Sequence, residues 1–137
     1  MQWKSYRYKL TVEGIIITGY VPEKEETSVR IPARIDGHPV TAIGEEAFSE
    51  NGSLLERIEV PSTVKQIGNS AFKMCMSLTE LVLEEGLELI GEEALYLTPV
   101  EELYLPGTVR ELRRPWELGG IQFRISPENP WFFTDGY

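Results

Sequence analysis

Side chains suited to chemistry are few in this 137-residue sequence, and they are poorly grouped. Cys75 is the only cysteine, so it has no partner for an internal disulfide and is neutral on compartment. It is read two ways, as a reactive thiol or as a small buried hydrophobe, and its setting between Phe72 and Leu78 favours burial. His38 is the only histidine and lies in an Asp36-Gly37-His38-Pro39 turn, which excludes a histidine-rich metal site. Glutamate pairs at 45–46, 84–85, 92–93 and 101–102 bring calcium to mind, but the Asp-x-Asp-Gly loops of protein calcium sites are absent. Phosphate loops, nucleophile elbows and metalloprotease helices are missing too. The sequence therefore assigns no catalytic, cofactor-binding or metal-binding residue and implies no cofactor.

What the chain does show is a recurrence. Ile43-Gly44-Glu45-Glu46-Ala47-Phe48 returns as Ile67-Gly68-Asn69-Ser70-Ala71-Phe72, then as Ile90-Gly91-Glu92-Glu93-Ala94-Leu95. The glycines lie 24 and 23 positions apart. A fixed period in the twenties marks one supersecondary unit stacked on copies of itself, none of which can bury its apolar face alone. Apolar-polar-apolar triplets open the units, as in Ile58-Glu59-Val60 and Leu103-Tyr104-Leu105, which suits short strands with one buried face. Pro32, Pro61 and Pro106 follow three of these strands and turn the chain. The glycine is expected at a tight corner where a Cβ would crowd, with Ala and Phe packed inside each coil. Ahead of the array, residues 6–21 read as a β-hairpin turning at Glu13-Gly14, expected to cover the open apolar end of the first repeat.

The run Ile58-x-Val60-Pro61, Val64, Ile67-Gly68, Ala71-Phe72, Cys75, Leu78 resembles the BspA-type leucine-rich repeat of bacterial proteins. Residues 29–40 are similar to that family's usual opening segment, and Glu128-Asn129-Pro130-Trp131-Phe132 with Asp135-Gly136 looks like its variant near array ends. The resemblance implies a right-handed solenoid of parallel strands with short helical turns, and a role in adhesion or protein recognition at the cell surface. It carries no catalytic residues and implies that the cysteine is a core rung. The expected fold is thus a β-rich leucine-rich-repeat solenoid with an N-terminal hairpin cap, one domain over 1–137. Its parts are a cap at 1–27, repeats at 28–54, 55–78, 79–100 and 101–120, and a terminal repeat or cap at 121–137. Leu95 in place of Phe, Arg113 in place of the glycine and the loss of Ala-Phe mark the fading of the array, with a different turn expected around Pro115-Trp116.

Function is then expected on residues the repeat leaves free. Strands about 4.8 Å apart would set Arg30, Glu59, Val82, Tyr104 and Arg124 in one row of an exposed face, with Ser28, Arg57, Glu80 and Glu102 one step earlier. Arg and Tyr are enriched at interfaces, whereas the alternative is a solvated face of mutually offsetting charges. We expect a protein ligand across Arg30, Arg57, Glu59, Glu80, Val82, Glu102, Tyr104 and Arg124. The second reading is a structural scaffold associating with itself through its ends, especially the aromatic stretch from Trp131 to Tyr137. A carboxylate pair for glycoside hydrolysis needs a cleft that such arrays seldom form, so an enzyme is not expected. The formal charge of −9 argues against nucleic acid and anionic membrane. Residues 1–10 carry Lys4, Arg7 and Lys9 without an acid, which reads as a docking site or a solvated edge. No apolar run reaches the roughly 20 residues of a membrane span. Lys4, Arg7, Lys9 and Glu13 interrupt any signal-peptide core, so a cytoplasmic location is expected if Met1 is the native start, and a cell-surface or secreted one if the family habit holds and the signal was removed.

Overall fold

The computed structural model describes residues 1–114 and 120–132. The chain starts with β1 (Gln2–Trp3), β2 (Tyr6–Thr11) and β3 (Gly14–Tyr20), an antiparallel meander whose Glu13-Gly14 turn is as the sequence predicts. Thr11 fastens that turn, its hydroxyl donating to the Gly14 carbonyl at 2.8 Å and accepting from the Glu13 amide at 3.2 Å. The coils follow, each with a first strand and a shorter second one. First strands are β4 (Ser28–Arg30), β7 (Arg57–Val60), β9 (Glu80–Leu83), β11 (Glu102–Leu105) and β13 (Gln122–Ile125). Second strands are β6 (His38–Ile43), β8 (Gln66–Ile67), β10 (Leu89–Ile90) and β12 (Glu111–Leu112), while β5 (Arg34–Ile35) pairs antiparallel with β6.

These strands form two walls. The long sheet runs β1-β2-β3-β6-β8-β10-β12, and the first strands form a three-stranded sheet β4-β7-β9 and a two-stranded sheet β11-β13. Pairing between successive coils is parallel, as stacked copies of one unit require. The hairpin caps the array by joining it, since β3 pairs parallel with β6. Its Tyr20 ring stacks on Phe48 at 5.0 Å between centroids, and Tyr6 meets the same ring edge-on at 6.4 Å. Phe48 in turn lies 5.3 Å from Phe72, so an aromatic column runs from the cap into the second coil. Ile31, Ile58, Ile67, Phe72, Cys75 and Leu78 are all fully buried around it.

The repeated glycine is explained by close approach and not by its φ. A Cβ on Gly68 would lie 2.9 Å from the Glu45 amide nitrogen and 3.0 Å from the Ile43 carbonyl oxygen of the preceding coil. On Gly91 it would meet the Asn69 amide nitrogen and the Gly68 carbonyl carbon at 2.7 Å. The expected short helical turns are not found: among the described residues no segment is helical. Each corner instead carries two non-glycine residues in the left-handed region, Glu46 and Glu50, Ser70 and Met74, Glu93 and Leu97. Left-handed residues interrupt a helix. Corner amides also bond between coils, from Phe48 to the Ala71 carbonyl at 2.8 Å and from Phe72 to the Ala94 carbonyl at 2.9 Å. Donors used that way are not available to an i→i−4 ladder. The turn expected around Pro115-Trp116 lies outside the described residues.

Candidate functional site

The triplet pattern that buries Val29, Ile58 and Leu81 turns their neighbours outward, and strand register sets those neighbours in the two expected rows. Arg30, Glu59 and Val82 are aligned across β4, β7 and β9, and Ser28, Arg57 and Glu80 form the row beside them. Tyr104 aligns with Arg124, and Glu102 with Gln122, across β11 and β13. The predicted residues therefore fall into two groups, one per sheet. The hydrogen-bonded ladder is interrupted between Val82 and Tyr104, because β9 and β11 lie side by side without pairing.

The charges within the first group close on one another. Arg30 Nη1 reaches Glu59 Oε2 at 2.9 Å, Arg57 also bonds Glu59, and Arg57 Nε faces Glu80 Oε2 at 3.2 Å. Arg30 Nη2 bonds Glu84 Oε1 at 2.8 Å, and Arg124 Nη2 bonds Glu102 Oε1 at 2.8 Å. Hydrogen bonds from Arg57 and then Arg30 hold the Glu59 carboxyl below the ordinary carboxylate range, while Glu59 first raises both guanidiniums. These pairs are open to water, so they orient side chains more than they stabilise the fold. Val82 is half-buried and Tyr104 is 46 % exposed, and these two stand outside the ion-pair network.

Sequence reasoning noted Glu84 only in a glutamate pair and did not place it on this face. Its signal was the absence of proline after the third strand, where Pro32, Pro61 and Pro106 follow β4, β7 and β11. It also missed Asn129, a buried polar residue. The Asn129 Nδ2 donates to the Pro106 and Val109 carbonyls at 2.8 and 2.9 Å, and its Oδ1 accepts from the Trp131 and Phe132 amides, both at 2.8 Å. That side chain ties the last described coil to the one before it.

The other candidates are structural in position. Cys75 is buried with its Sγ 3.4 Å from the Phe48 carbonyl, and burial pushes its thiol up to about 12. His38 is exposed at the start of β6, and Asp36 beside it accepts from the Tyr8 hydroxyl at 3.0 Å, latching the cap to the loop. Among the described residues no three His, Cys, Asp or Glu side chains are arranged to hold a metal. At the far end Phe123, Ile125 and Phe132 are part-buried and Trp131 is 54 % exposed, while 133–137 of the expected self-association segment lie outside the described residues.

Comparison with known proteins agrees with this geometry. A leucine-rich-repeat protein from Bacteroides capillosus is similar in structure over 92 % of this chain and 97 % of its own, with TM-score 0.83 and 27 % identity. The Treponema pallidum (T. pallidum) Leucine Rich Repeat protein matches 80 % of this chain and 62 % of its own, with TM-score 0.57 and 26 % identity. A leucine-rich-repeat protein from Bacteroides ovatus, at 20 % identity and TM-score 0.61, supports the fold alone; this chain spans 40 % of its length and is itself covered over 92 %. No curated protein matches the sequence. The sequence model of the "BspA type Leucine rich repeat region" matches residues 27–115 in six copies, well over half of the chain. The chain belongs to the BspA-type leucine-rich-repeat family.

Proposed function

We propose that this chain binds a partner protein, non-covalently and in an adhesive or recognition role, across the exposed strand face. Leucine-rich-repeat modules are of the protein-interaction type and are generally non-catalytic, and we read this one as no exception. The observation that carries the proposal is the position of Val82 and Tyr104. They lie on the adjacent strands β9 and β11, where backbone pairing is interrupted, with paired charges on either side. A partner covering an exposed tyrosine and a half-buried valine removes apolar surface from water at the centre of the contact, and an aromatic anchor ringed by fixed charges is the usual anatomy of a protein interface. Arg30, Arg57, Glu59, Glu80, Glu102 and Arg124 are held by one another, so they present a fixed charge pattern and select a partner more than they attract one.

The test places a photo-crosslinking residue at Tyr104 and, separately, at Ser49 on the corner side. Partners trapped from Tyr104 and absent from Ser49 are expected. Binding of any trapped partner should fall about tenfold or more in an Arg30→Ala, Tyr104→Ala double variant that melts as the parent does. Undiminished binding by that double variant refutes the face as the binding site.

A further inference from the structure

The seam between β9 and β11 leaves backbone groups unspent on the strand face. In the coils before it, the carbonyl ahead of each first strand accepts two amides of the next coil. Thr27 accepts from Glu56 and Arg57 at 2.7 and 3.2 Å, and Glu56 accepts from Thr79 and Glu80 at 3.0 and 3.1 Å. The equivalent Thr79 carbonyl accepts none, and the Glu101 and Glu102 amides that would reach it bond to nothing among the described residues. One coil later the pattern resumes, with the Gln122 amide donating to the Glu101 carbonyl at 2.8 Å. Where the bonds are missing lies a notch of about 400 Å3, lined by Thr79, Pro99, Glu101 and Glu102. Glu102 and Tyr104 are two residues apart on the exposed side of β11, so the notch opens about 7 Å from the tyrosine.

Charge identifies what fits. No lysine or arginine lines the notch. The cavity beside β4, in contrast, mixes Lys4 and Lys24 with Glu23 and Glu26, and the one beside Trp131 holds Arg110. The cations of the face are already spent. Arg30, Arg57 and Arg124 are bonded to Glu59, Glu80 and Glu102, and none of the five lysines belongs to a first strand. Its anions are in surplus. The exposed Glu101 side chain has no partner among the described residues, and Arg124 places both of its bonds on Oε1 of Glu102, leaving Oε2 without one. We propose that the partner of this face presents a lysine or arginine side chain to the notch, beside an apolar side chain on Tyr104; the inference rests on the strand face being the binding site. The cation meets the Glu101 carboxylate and Oε2 of Glu102, and one of its N–H groups donates to the Thr79 carbonyl. An anion is refused by both carboxylates. Calcium is the poorer occupant, because two carboxylates and one carbonyl fall short of the roughly six to eight oxygens it takes.

The probe is a threonine hexapeptide carrying one tryptophan, one lysine two positions later and an uncharged fluorophore. Two control peptides have norleucine or glutamate in place of the lysine. Each is titrated with the whole chain and read by fluorescence anisotropy. Saturable binding of the lysine peptide is expected, about tenfold weaker with norleucine and undetectable with glutamate, and the advantage of lysine should shrink with salt. Glu101→Gln alters an exposed, unpaired side chain and should weaken the lysine peptide about threefold while leaving the norleucine peptide unchanged. Glu45→Gln, equally exposed on the corner side, should change neither. Tyr104→Ala should weaken both peptides alike. If lysine and norleucine peptides bind equally and Tyr104→Ala still weakens them, the notch is overturned and the face stands. Binding indifferent to Tyr104→Ala overturns the face and the notch with it. No binding of the lysine peptide by the parent overturns the notch, as does an equal loss in Glu45→Gln, which would reduce the effect to overall charge. So does sedimentation showing a second copy of the chain that the peptide displaces.

Discussion

Replacing Phe72 by alanine tests whether the coils are held by stacking. The ring is fully buried, 5.3 Å from Phe48 in the coil before it, and its own amide is tied to Ala94 in the coil after it at 2.9 Å. With the backbone pinned on both sides the site collapses poorly, so most of the volume vacated stays empty. A vacated volume of roughly 100 Å3, at about 24 cal/mol per Å3, costs about 2.4 kcal/mol. Lost transfer of the ring from water adds about 2 kcal/mol, for a total near 4 kcal/mol. Small domains gain or lose roughly 2–5 °C per kcal/mol at this size, so the melting temperature should drop by about 10–20 °C. Phe72→Leu, which copies Leu95 of the next coil, should cost only about 1–2 kcal/mol. Urea unfolding followed by circular dichroism measures both. The informative quantity is the midpoint at constant slope, because a changed slope would mean that the array unfolds in pieces. A loss below about 1 kcal/mol for Phe72→Ala at unchanged slope would refute the view that adjacent coils depend on this column.

Gly91→Ala and Gly120→Ala should act in opposite senses. At Gly91 the new Cβ meets backbone atoms at 2.7 Å and should cost about 1–3 kcal/mol, whereas no atom of the described residues lies within 4 Å at Gly120, where alanine should be neutral or stabilise by up to about 1 kcal/mol; thermal melts decide. Glu59 gives a pH test. Its folded-state pKa lies below the value of 4.5 that it has when unperturbed, so the unfolded chain binds its proton first as pH falls. Its contribution is present above that value and is lost as pH drops through the lower folded one. The urea midpoint of the parent should therefore fall more steeply below about pH 4.5 than that of Glu59→Gln, and parallel curves would show that the Arg30-Glu59-Arg57 pairs are idle.

The repeated elements were readable because each obeys a local rule. Alternation in Ile58-Glu59-Val60 decides which side chains are buried, and register then follows from stacking, so the two rows of the exposed face could be placed residue by residue. The corner glycines were readable for the same reason, since the crowding repeats with them. The turns were not. A family habit suggested short helices, but their amides bond to the neighbouring coil, a partner 22 or 23 residues away that no local pattern reveals. Glu84 likewise meets Arg30 across 54 positions, and only the stacked strands bring them together.

The Ile-Gly-x-x-Ala-Phe period by itself determined the architecture, the buried set and the direction in which each free side chain points, because one unit that cannot bury its own apolar face has to stack on copies of itself. Tertiary structure decided what those free side chains do. It closed the arginines on glutamates of other strands, interrupted the backbone pairing between β9 and β11, and sent the hairpin to the wall opposite β4. Each of these depends on distances between strands far apart in sequence, where pairing geometry and charge outweigh local preference.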